Sequence, residues 1–414
     1  MSNDAGAGAR PIMDGITRAG SGLSRSGRTE SAGAEAAREA KHALEGHAPT
    51  YGFVFASPKH DLASTLAQVA EVSGCAELLG ATSAGELTEK GFAHGAVSVL
   101  LVHAPRSVHR LAHGTGLRNG YADTARQLCS GFEDVAAEAR RHGWPHSTSV
   151  VLLDGLADTC ERAIKQVMLE TRPFQQVVGG AAGVDLGLPR AQVGMKKLAT
   201  ADAGVAMHVF GPTRWGVGID HGLLPPTPKM SVALKMTVTK MTGNVIDELD
   251  GRPAFEAYQR HAKDHDVQLT PEAVGRYLIT NPLGVYFLDE IRSVRVAGFV
   301  TEKGGLVCTA ELAEGSTVTI LHADPRALIE AAGKAATSAR KNLDGAMPAA
   351  VLLFDCGSRG MALGQSFDRE VAAVREVFPG VPIAGFLTYG EIARFRGRLD
   401  PWHNSTAVVV AIPQ

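Results

Sequence analysis

The sequence lacks three features that would each point to a class of protein. It has no excess of basic residues, because 41 Lys and Arg stand against 43 Asp and Glu, and binding to nucleic acid through counterion release is therefore not expected. Its five cysteines are scattered and include no C-x-x-C pair, which argues against a disulfide framework or a structural zinc site. No stretch approaches the roughly 18 consecutive apolar residues of a membrane span. We expect a cytoplasmic protein without a membrane or nucleic-acid partner.

The chain is too long for one ordinary hydrophobic core. Its first residues are rich in Gly, Ser and Arg and contain no apolar run of the signal-peptide type, so we interpret residues 1–30 as a disordered tail. The Pro-rich stretch LLPPTPK, residues 223–229, is a candidate boundary. The sequence thus predicts two domains, residues 31–225 and residues 230–414.

One order of elements occurs three times along the chain: a strand, a helix, a strand, a glycine-rich loop and another strand. The copies begin with YGFVFAS, SVVLLDG and AAVLLFDCG, and in the first copy Asp61 and Gly74 flank the helix as cap and stop. GVAMHVFG, the last strand of the second copy, is expected to form a hairpin with RWGVGIDHG. Between copies two and three the patterns indicate antiparallel strands. The predicted fold class is α/β of the mixed α+β type, with two domains of mixed sheets flanked by helices and internal strand-helix-strand-loop-strand repeats.

Two of the glycine loops share the form Gly, four residues, Gly, Glu. They are GATSAGEL, residues 80–87, and GFLTYGEI, residues 385–392, and the second copy has a degenerate form, GGAAGVDL. The glycine spacing is that of a phosphate loop, but a glutamate stands where that loop needs Lys. Either Glu86 and Glu391 cap backbone groups of a tight turn, or they face a shared cleft and suit an ammonium or amide. The repetition favours the cleft.

Further polar residues follow predicted strands of the third copy. FDCGSRG places Cys356 and Arg359 just beyond a strand, where α/β folds collect binding groups. Arg359 suits a carboxylate, whereas Cys356 is either functional or a small buried hydrophobe. His403 and Asn404 precede the last strand and either join the site or cap the turn.

Six motifs together resemble one family. In order, they are LLGATSAGEL, VVGGAAGVDL, VTKMTGNVIDELDGRPAFEAY, FDCGSRG, IAGFLTYGEIA and WHNSTAVVV. This ensemble resembles the FIST proteins, with their N-terminal and C-terminal FIST domains, over roughly Ala48 to Ile412. The resemblance implies a cytoplasmic sensory module of signal transduction that binds small ligands such as amino acids. Many members have Cys where this chain has Ala81, so any chemistry of that thiol is not expected here.

The resemblance and the charge pattern together define a candidate ligand site. We expect it to contain Gly80, Thr82, Ser83, Gly85, Glu86, Asn244, Asp250, Cys356, Arg359, Gly385, Thr388, Gly390, Glu391, His403 and Asn404. Arg359 suits a carboxylate, and Glu86 or Glu391 suits an ammonium, which together describe a free amino acid or a similar zwitterion.

Two alternatives stay open, and neither a cofactor nor a metal is otherwise expected. Some proteins that resemble the family are haem-binding nitric-oxide sensors that regulate histidine kinases, and His60 is one candidate axial ligand. An enzyme that uses Cys356, with a thiolate stabilised by Arg359, is the other. No kinase, cyclase or helix-turn-helix segment is recognisable, so we expect the signal to pass to a separate protein, such as a histidine kinase.

Overall fold

The computed structural model describes residues 15–172, 175–184, 188, 190–226, 235–395 and 400–414. The first unit starts earlier than expected, since its first strand begins at Arg18. Its elements are β1 (Arg18–Ser24), α1 (Thr29–His42), β2 (Tyr51–Ala56), α2 (Leu62–Ser73), β3 (Leu78–Thr82), β4 (Glu86–Thr88), β5 (Gly91–Ala93) and β6 (Val97–His103). The predicted disordered tail is therefore wrong for the residues of β1 and for the start of α1, because β1 pairs along its whole length with β6. Residues 1–14 of that tail lie outside the described residues.

The caps predicted for the first helix of the repeat are confirmed. The Asp61 side chain accepts a hydrogen bond from the backbone N–H of Ser64 at 2.8 Å, and Gly74 ends α2 in the left-handed conformation with φ 76°. The second unit follows the same order with one extra helix. It consists of β7 (Val108–Thr115), α3 (Leu117–Leu128), α4 (Phe132–Arg141), β8 (His146–Asp154), α5 (Cys160–Glu170), β9 (Gln176–Ala182), β10 (Val193–Met195), β11 (Leu198–Thr200) and β12 (Ala203–Gly211).

The third unit is interrupted by a separate sheet. After β13 (Gly216–Asp220), the chain forms β14 (Met236–Thr242), β15 (Val245–Leu249), β16 (Arg252–Pro253), α6 (Phe255–Asp264), α7 (Pro271–Thr280), β17 (Leu283–Phe287), β18 (Glu290–Arg295), β19 (Ala297–Val300), β20 (Leu306–Cys308) and β21 (Thr317–Ile320). These strands make the fourth sheet, in the order β18-β17-β21-β14-β15-β20-β19 with β16 beside β15. The chain then completes the third unit with α8 (Pro325–Lys341), β22 (Pro348–Cys356), α9 (Gly357–Leu363), α10 (Phe367–Val377), β23 (Ile383–Thr388), β24 (Glu391–Arg394), β25 (Trp402–His403) and β26 (Ala407–Pro413).

The first three sheets share one topology, in which each unit contributes a hairpin to the sheet of another unit. Their orders are β1-β6-β2-β3-β10-β11, β7-β12-β8-β9-β24-β25 and β13-β26-β22-β23-β4-β5. In each sheet the second and third strands of the unit, such as β2 and β3, run parallel. The hairpin beyond them always comes from elsewhere: β4–β5 joins the third sheet, β10–β11 the first and β24–β25 the second. The exchange closes a ring of three units.

The inner faces of these three sheets pack on one another. A single buried cluster contains Phe53, Leu152 and Leu352, one from each sheet, and the stacked rings of Phe55 and Phe386, 4.5 Å apart, join the first and third sheets. The outer faces are covered by α1 and α2, by α3 and α5, and by α8 and α10, respectively. Each sheet is therefore buried on both faces, which explains its near-continuous apolar strands.

One predicted pairing is wrong. The last strand of the second unit, β12, pairs with β7 and β8, whereas the expected hairpin partner, β13, pairs with β26 in the third sheet. An apolar strand fits the edge of any of the three similar sheets, so local sequence cannot select the partner. Hydrogen bonding thus crosses the predicted boundary at residues 225–230, and the two-domain division at that point stays a prediction. Among the described helices, none has the length and apolarity to cross a membrane.

Candidate functional site

The three glycine loops meet at one place, which we call the loop junction (residues 82–86, 181–184 and 387–391). Backbone bonds link the first loop to the third, from Leu387 N to Gly85 O at 2.8 Å, and the second to the first, from Gly183 N to Thr82 O at 3.1 Å. The circle is completed from Ala181 N to Gly390 O at 2.8 Å. The loops therefore satisfy some of one another's backbone groups.

The two glutamates of the junction cap the protein's own backbone and hydroxyl groups. Glu391 accepts hydrogen bonds from the Thr388 hydroxyl at 2.6 Å and from the backbone N–H of Thr406 at 3.1 Å. Glu86 accepts equivalent bonds, from the Ser83 hydroxyl and from the backbone N–H of Ala96. Both side chains are fully buried. Each carboxyl group joins its loop to the residue that precedes the last strand of the unit, which matches the capping alternative rather than the ligand contact.

Burial also changes the acidity of one of these groups. It raises the pKa of Glu391 to about 7, although the hydrogen bonds from Thr388 and Thr406 oppose this rise. The carboxyl group therefore titrates near neutral pH inside the protein.

The glycines of the loops are required by close packing. A Cβ on Gly385 would lie 1.9 Å from the Leu353 carbonyl oxygen of the parallel neighbour strand, and one on Gly390 would lie 2.2 Å from the Trp402 ring. Gly80 and Gly85 are also confined: a Cβ on Gly85 would come within 2.5 Å of the Phe92 ring, and one on Gly80 within 2.9 Å of a backbone oxygen. These glycines let strands and rings approach, a role that needs no ligand.

Arg359 lies in a buried charge cluster. Its side chain is 1% exposed. Nε donates to Glu370 Oε1 at 2.9 Å and lies 3.1 Å from Asp355 Oδ1, while Nη1 and Nη2 donate to the carbonyls of His221 and Leu328. Two carboxyl groups of the protein therefore already pair with Arg359, and the contact of Arg359 with a ligand stays a prediction. An Asp four residues before the Arg is a faint sequence signal, but Glu370 could not be identified without the fold.

Cys356 is not set up as a nucleophile. The thiol is 5% exposed and accepts a hydrogen bond from the Ser358 hydroxyl at 3.1 Å. Burial, and then the negative charge of Glu391, raise the pKa of Cys356. A catalytic cysteine needs a lowered pKa, so these contacts favour the reading as a small buried side chain.

A cleft of about 110 Å³ opens beside the buried charges around Arg359, between the third and fourth sheets. Its polar lining comes from three segments: Asp220 and His221 at the end of β13, Arg292 and Ser293 in β18, and His403, Asn404 and Thr406 at the end of β25 and after it. Asp220 Oδ1 accepts from Gly222 N at 3.1 Å, and Arg292 lies over the Phe287 ring, 5.4 Å from its centroid. Within the described part of the chain, neither charge takes part in an ion pair.

Two family models match the chain, one in each half. A family model of the FIST N domain matches residues 50–252, and one of the FIST C domain matches residues 254–394. The chain belongs to the FIST family. FIST domains are a sensory module of signal transduction. The two family models meet at residues 252–254, within the fourth sheet.

Other comparisons add little. No curated protein matches the chain. Two solved structures from Thermotoga maritima, PurLQS and phosphoribosylformylglycinamidine synthase II, share 13% and 12% identity with it, at TM-scores of 0.22 and 0.21. Each alignment covers 96% of this chain and 72% of the other. TM-scores this low do not show a shared fold.

The FIST motif residues separate into groups in the structure. Thr82 and Ser83 lie in the loop junction with both glutamates. Asn244 and Asp250 lie at turns of the fourth sheet, where Asn244 Nδ2 donates to the Cys308 carbonyl at 2.9 Å and Asp250 accepts from Thr237 N at 2.8 Å. His403 and Asn404 line the cleft. The single site predicted from the motifs is therefore divided among different places.

The charged residues of the cleft in this FIST protein were missed by sequence reasoning. Asp220 ends an ordinary strand and Arg292 lies in a charged hairpin, and neither stands in a glycine motif. The structure brings them together because β13 belongs to the third sheet and β18 lies at the edge of the fourth. The candidate haem ligand His60 is 2% exposed, with Nε2 3.1 Å from Gly95 O and Nδ1 3.4 Å from the Thr29 hydroxyl.

Proposed function

We propose that the protein is an intracellular sensory protein that binds a small zwitterion, such as an amino acid, in the cleft between the third and fourth sheets. The observation that carries the proposal is the pair of opposite charges there. Asp220 and Arg292 line one cleft, and neither forms an ion pair in the described structure. The carboxylate would bind the ligand's ammonium group, and the guanidinium would bind its carboxylate with two parallel bonds.

The size of the cleft limits the ligand. Its volume of about 110 Å³ is far below the roughly 300–1,000 Å³ of sites for drug-sized molecules. A ligand of the size of glycine, alanine or serine suits this volume, whereas haem does not. His60 offers no support for a haem site either, because both of its ring nitrogens lie within hydrogen-bonding distance of protein groups.

The proposal keeps the ligand class expected from the sequence and changes the residues. His403 and Asn404 remain in it and supply polar groups at the third wall. Asn404 is held by the Thr309 hydroxyl, which donates to Asn404 Oδ1 at 2.9 Å. That contact ties the cleft wall to the fourth sheet. A ligand seated there touches both sheets, and a shift between them is a signal that a separate protein, such as a histidine kinase in the cytoplasm, can read.

Calorimetric titration of the full chain tests the proposal. The probes are the twenty amino acids, with acetate and ethylamine as ligands of a single charge. We expect a small amino acid to bind, and Arg292→Gln and Asp220→Asn each to weaken that binding by about tenfold or more, since a charge-assisted hydrogen bond contributes about 1.5–3 kcal/mol.

The matched control is Arg252→Gln, which removes an exposed guanidinium from the same sheet. It should leave binding unchanged, and acetate and ethylamine should bind more weakly than the amino acid. If none of the twenty amino acids releases or absorbs heat, or if both cleft variants bind as the wild type does, the proposal is wrong.

A further inference from the structure

A cluster of three buried charges lies directly behind the cleft. Asp355 at the end of β22, Arg359 in α9 and Glu370 in α10 form what we call the carboxyl cluster. Asp355 and Glu370 are fully buried and Arg359 is 1% exposed. Two carboxyl groups thus share one guanidinium, so the cluster has a net negative charge if both are ionised.

Hydrogen bonds within the cluster are unevenly divided. The single Nε–H of Arg359 donates to Glu370 Oε1 at 2.9 Å, and Nη2 donates to the same oxygen and to the Leu328 carbonyl. The 3.1 Å between Nε and Asp355 Oδ1 is therefore a contact between charges. Among the described residues, both Asp355 oxygens and Glu370 Oε2 are buried without a hydrogen-bond partner.

Both carboxyl groups approach the same nitrogen, since Arg359 Nε lies 3.1 Å from Asp355 Oδ1 and 2.9 Å from Glu370 Oε1. Ionised carboxylates only accept hydrogen bonds, and an ionised carboxylate without donors is costly in the interior. One proton between the two groups removes both difficulties, because it creates the missing donor and makes the cluster neutral. We propose that Asp355 and Glu370 share one proton, and that this proton regulates ligand binding by holding Arg359 against the wall of the cleft.

The surrounding groups agree with a bound proton. Burial raises the pKa of Asp355, and the negative charges of Glu370 and Glu391 raise it further, while Arg359 opposes the rise. Cys356, the next residue of β22, has a raised pKa and stays a neutral thiol. The other packed elements present carbonyl groups, Leu328 from α8 and His221 from the loop after β13.

The link to the cleft runs through the remaining nitrogen of Arg359. Nη1 donates to the carbonyls of His221 at 2.6 Å and Ser405 at 3.4 Å. His221 lines the cleft, as do Asn404 and Thr406 on either side of Ser405. When the proton leaves to solvent, two negative charges compete with these carbonyls for the guanidinium and loosen the wall. This step rests on the proposed function, because it assumes that the cleft binds a ligand.

Infrared spectroscopy of the full chain without ligand tests the shared proton. At about pH 9 an ordinary carboxyl group is ionised, and Glu391, with its pKa of about 7, is ionised as well. We expect the carbonyl band of a protonated carboxyl group to persist in the wild type and in Glu391→Gln, and to disappear in Asp355→Asn and in Glu370→Gln.

A wild-type spectrum without this band at about pH 9 overturns the proposal, and it does so even if neither variant folds. A rise in unfolding temperature when Na⁺ or K⁺ replaces choline at constant ionic strength would then identify a cation in the proton's place. This measurement needs no ligand, so its failure is distinct from a failure of the proposed function.

Calorimetric titration with the small amino acid bound by the wild type tests the regulation. As the pH rises until the infrared band is lost, the wild-type affinity should fall by about tenfold. Asp355→Asn keeps the cluster neutral without an ionisable proton, so its affinity should not show this extra fall. The ratio of the two affinities cancels the titration of the ligand's own amine. A constant ratio across the range contradicts the regulation.

Discussion

The loop junction and the cleft both contain charged side chains and differ in what those side chains contact. In the junction, the buried carboxyl groups of Glu86 and Glu391 accept hydrogen bonds from hydroxyl and backbone N–H groups of the protein. In the cleft, Asp220 and Arg292 carry opposite charges that no ion pair neutralises within the described structure. The repeated glycine motif therefore marks the place where the three units are joined, whereas Asp220 and Arg292 of the cleft come from outside the family motifs.

Removal of the guanidinium from the carboxyl cluster should have the largest effect. Arg359→Met leaves Glu370 buried without its cation, and loss of one partner of a buried ion pair costs about 3–5 kcal/mol. Urea unfolding should show this loss in the free energy of unfolding. Arg369→Met, an exposed position in α10, is the matched control and should change it by at most about 0.5 kcal/mol. Equal stability of the two variants would show that Arg359 is not structural.

The glutamates of the junction should come next. Glu391→Ala removes the acceptor for the Thr388 hydroxyl and for the Thr406 backbone, and unsatisfied buried donors should lower the free energy of unfolding by about 2–4 kcal/mol. Glu86→Ala should behave alike. If instead Glu391→Ala unfolds as the wild type does but no longer binds the ligand, the junction is the site and the comparison is reversed.

The pH dependence of stability should report the same glutamate. The pKa of Glu391 is about 7 in the folded protein against an ordinary 4.5, so the folded state binds the proton more tightly. This contribution to stability is complete below pH 4.5 and is lost as the pH rises to about 7. The loss is at most about 3 kcal/mol. Glu391→Gln should lack this slope in urea unfolding between those pH values; an unchanged slope assigns the titration to another group.

The cleft variants should have the smallest effect on stability. Asp220→Asn and Arg292→Gln remove charges that hold no ion partner among the described residues, so each should change the free energy of unfolding by at most about 0.5 kcal/mol. Thermal unfolding measures this directly. A loss as large as that of Glu391→Ala would mean that the cleft charges are structural, and the contrast between the two regions would disappear.

Part of the fold could be predicted because it depends on short-range patterns. The caps at Asp61 and Gly74 lie within one helix, and the order of strand, helix and glycine loop follows from apolar runs and turn residues. The exchanged hairpins could not be predicted, since β4 pairs with a strand three hundred positions away. The candidate site was harder to predict, because the sequence pattern around a loop glutamate is the same whether its side chain caps a backbone group or binds a ligand.

The sequence by itself determined the family, the mixed α/β class and the secondary structure around the glycine loops, since these depend on residues a few positions apart. Only the tertiary structure decided which charged side chains are paired with other groups inside the protein. Burial and hydrogen bonds place Arg359 and Glu391 among groups of the protein itself, and the approach of β13 to the fourth sheet brings Asp220 and Arg292 into one cleft. Charge pairing depends on distance in space, and residues far apart in the chain carry no local signal of it.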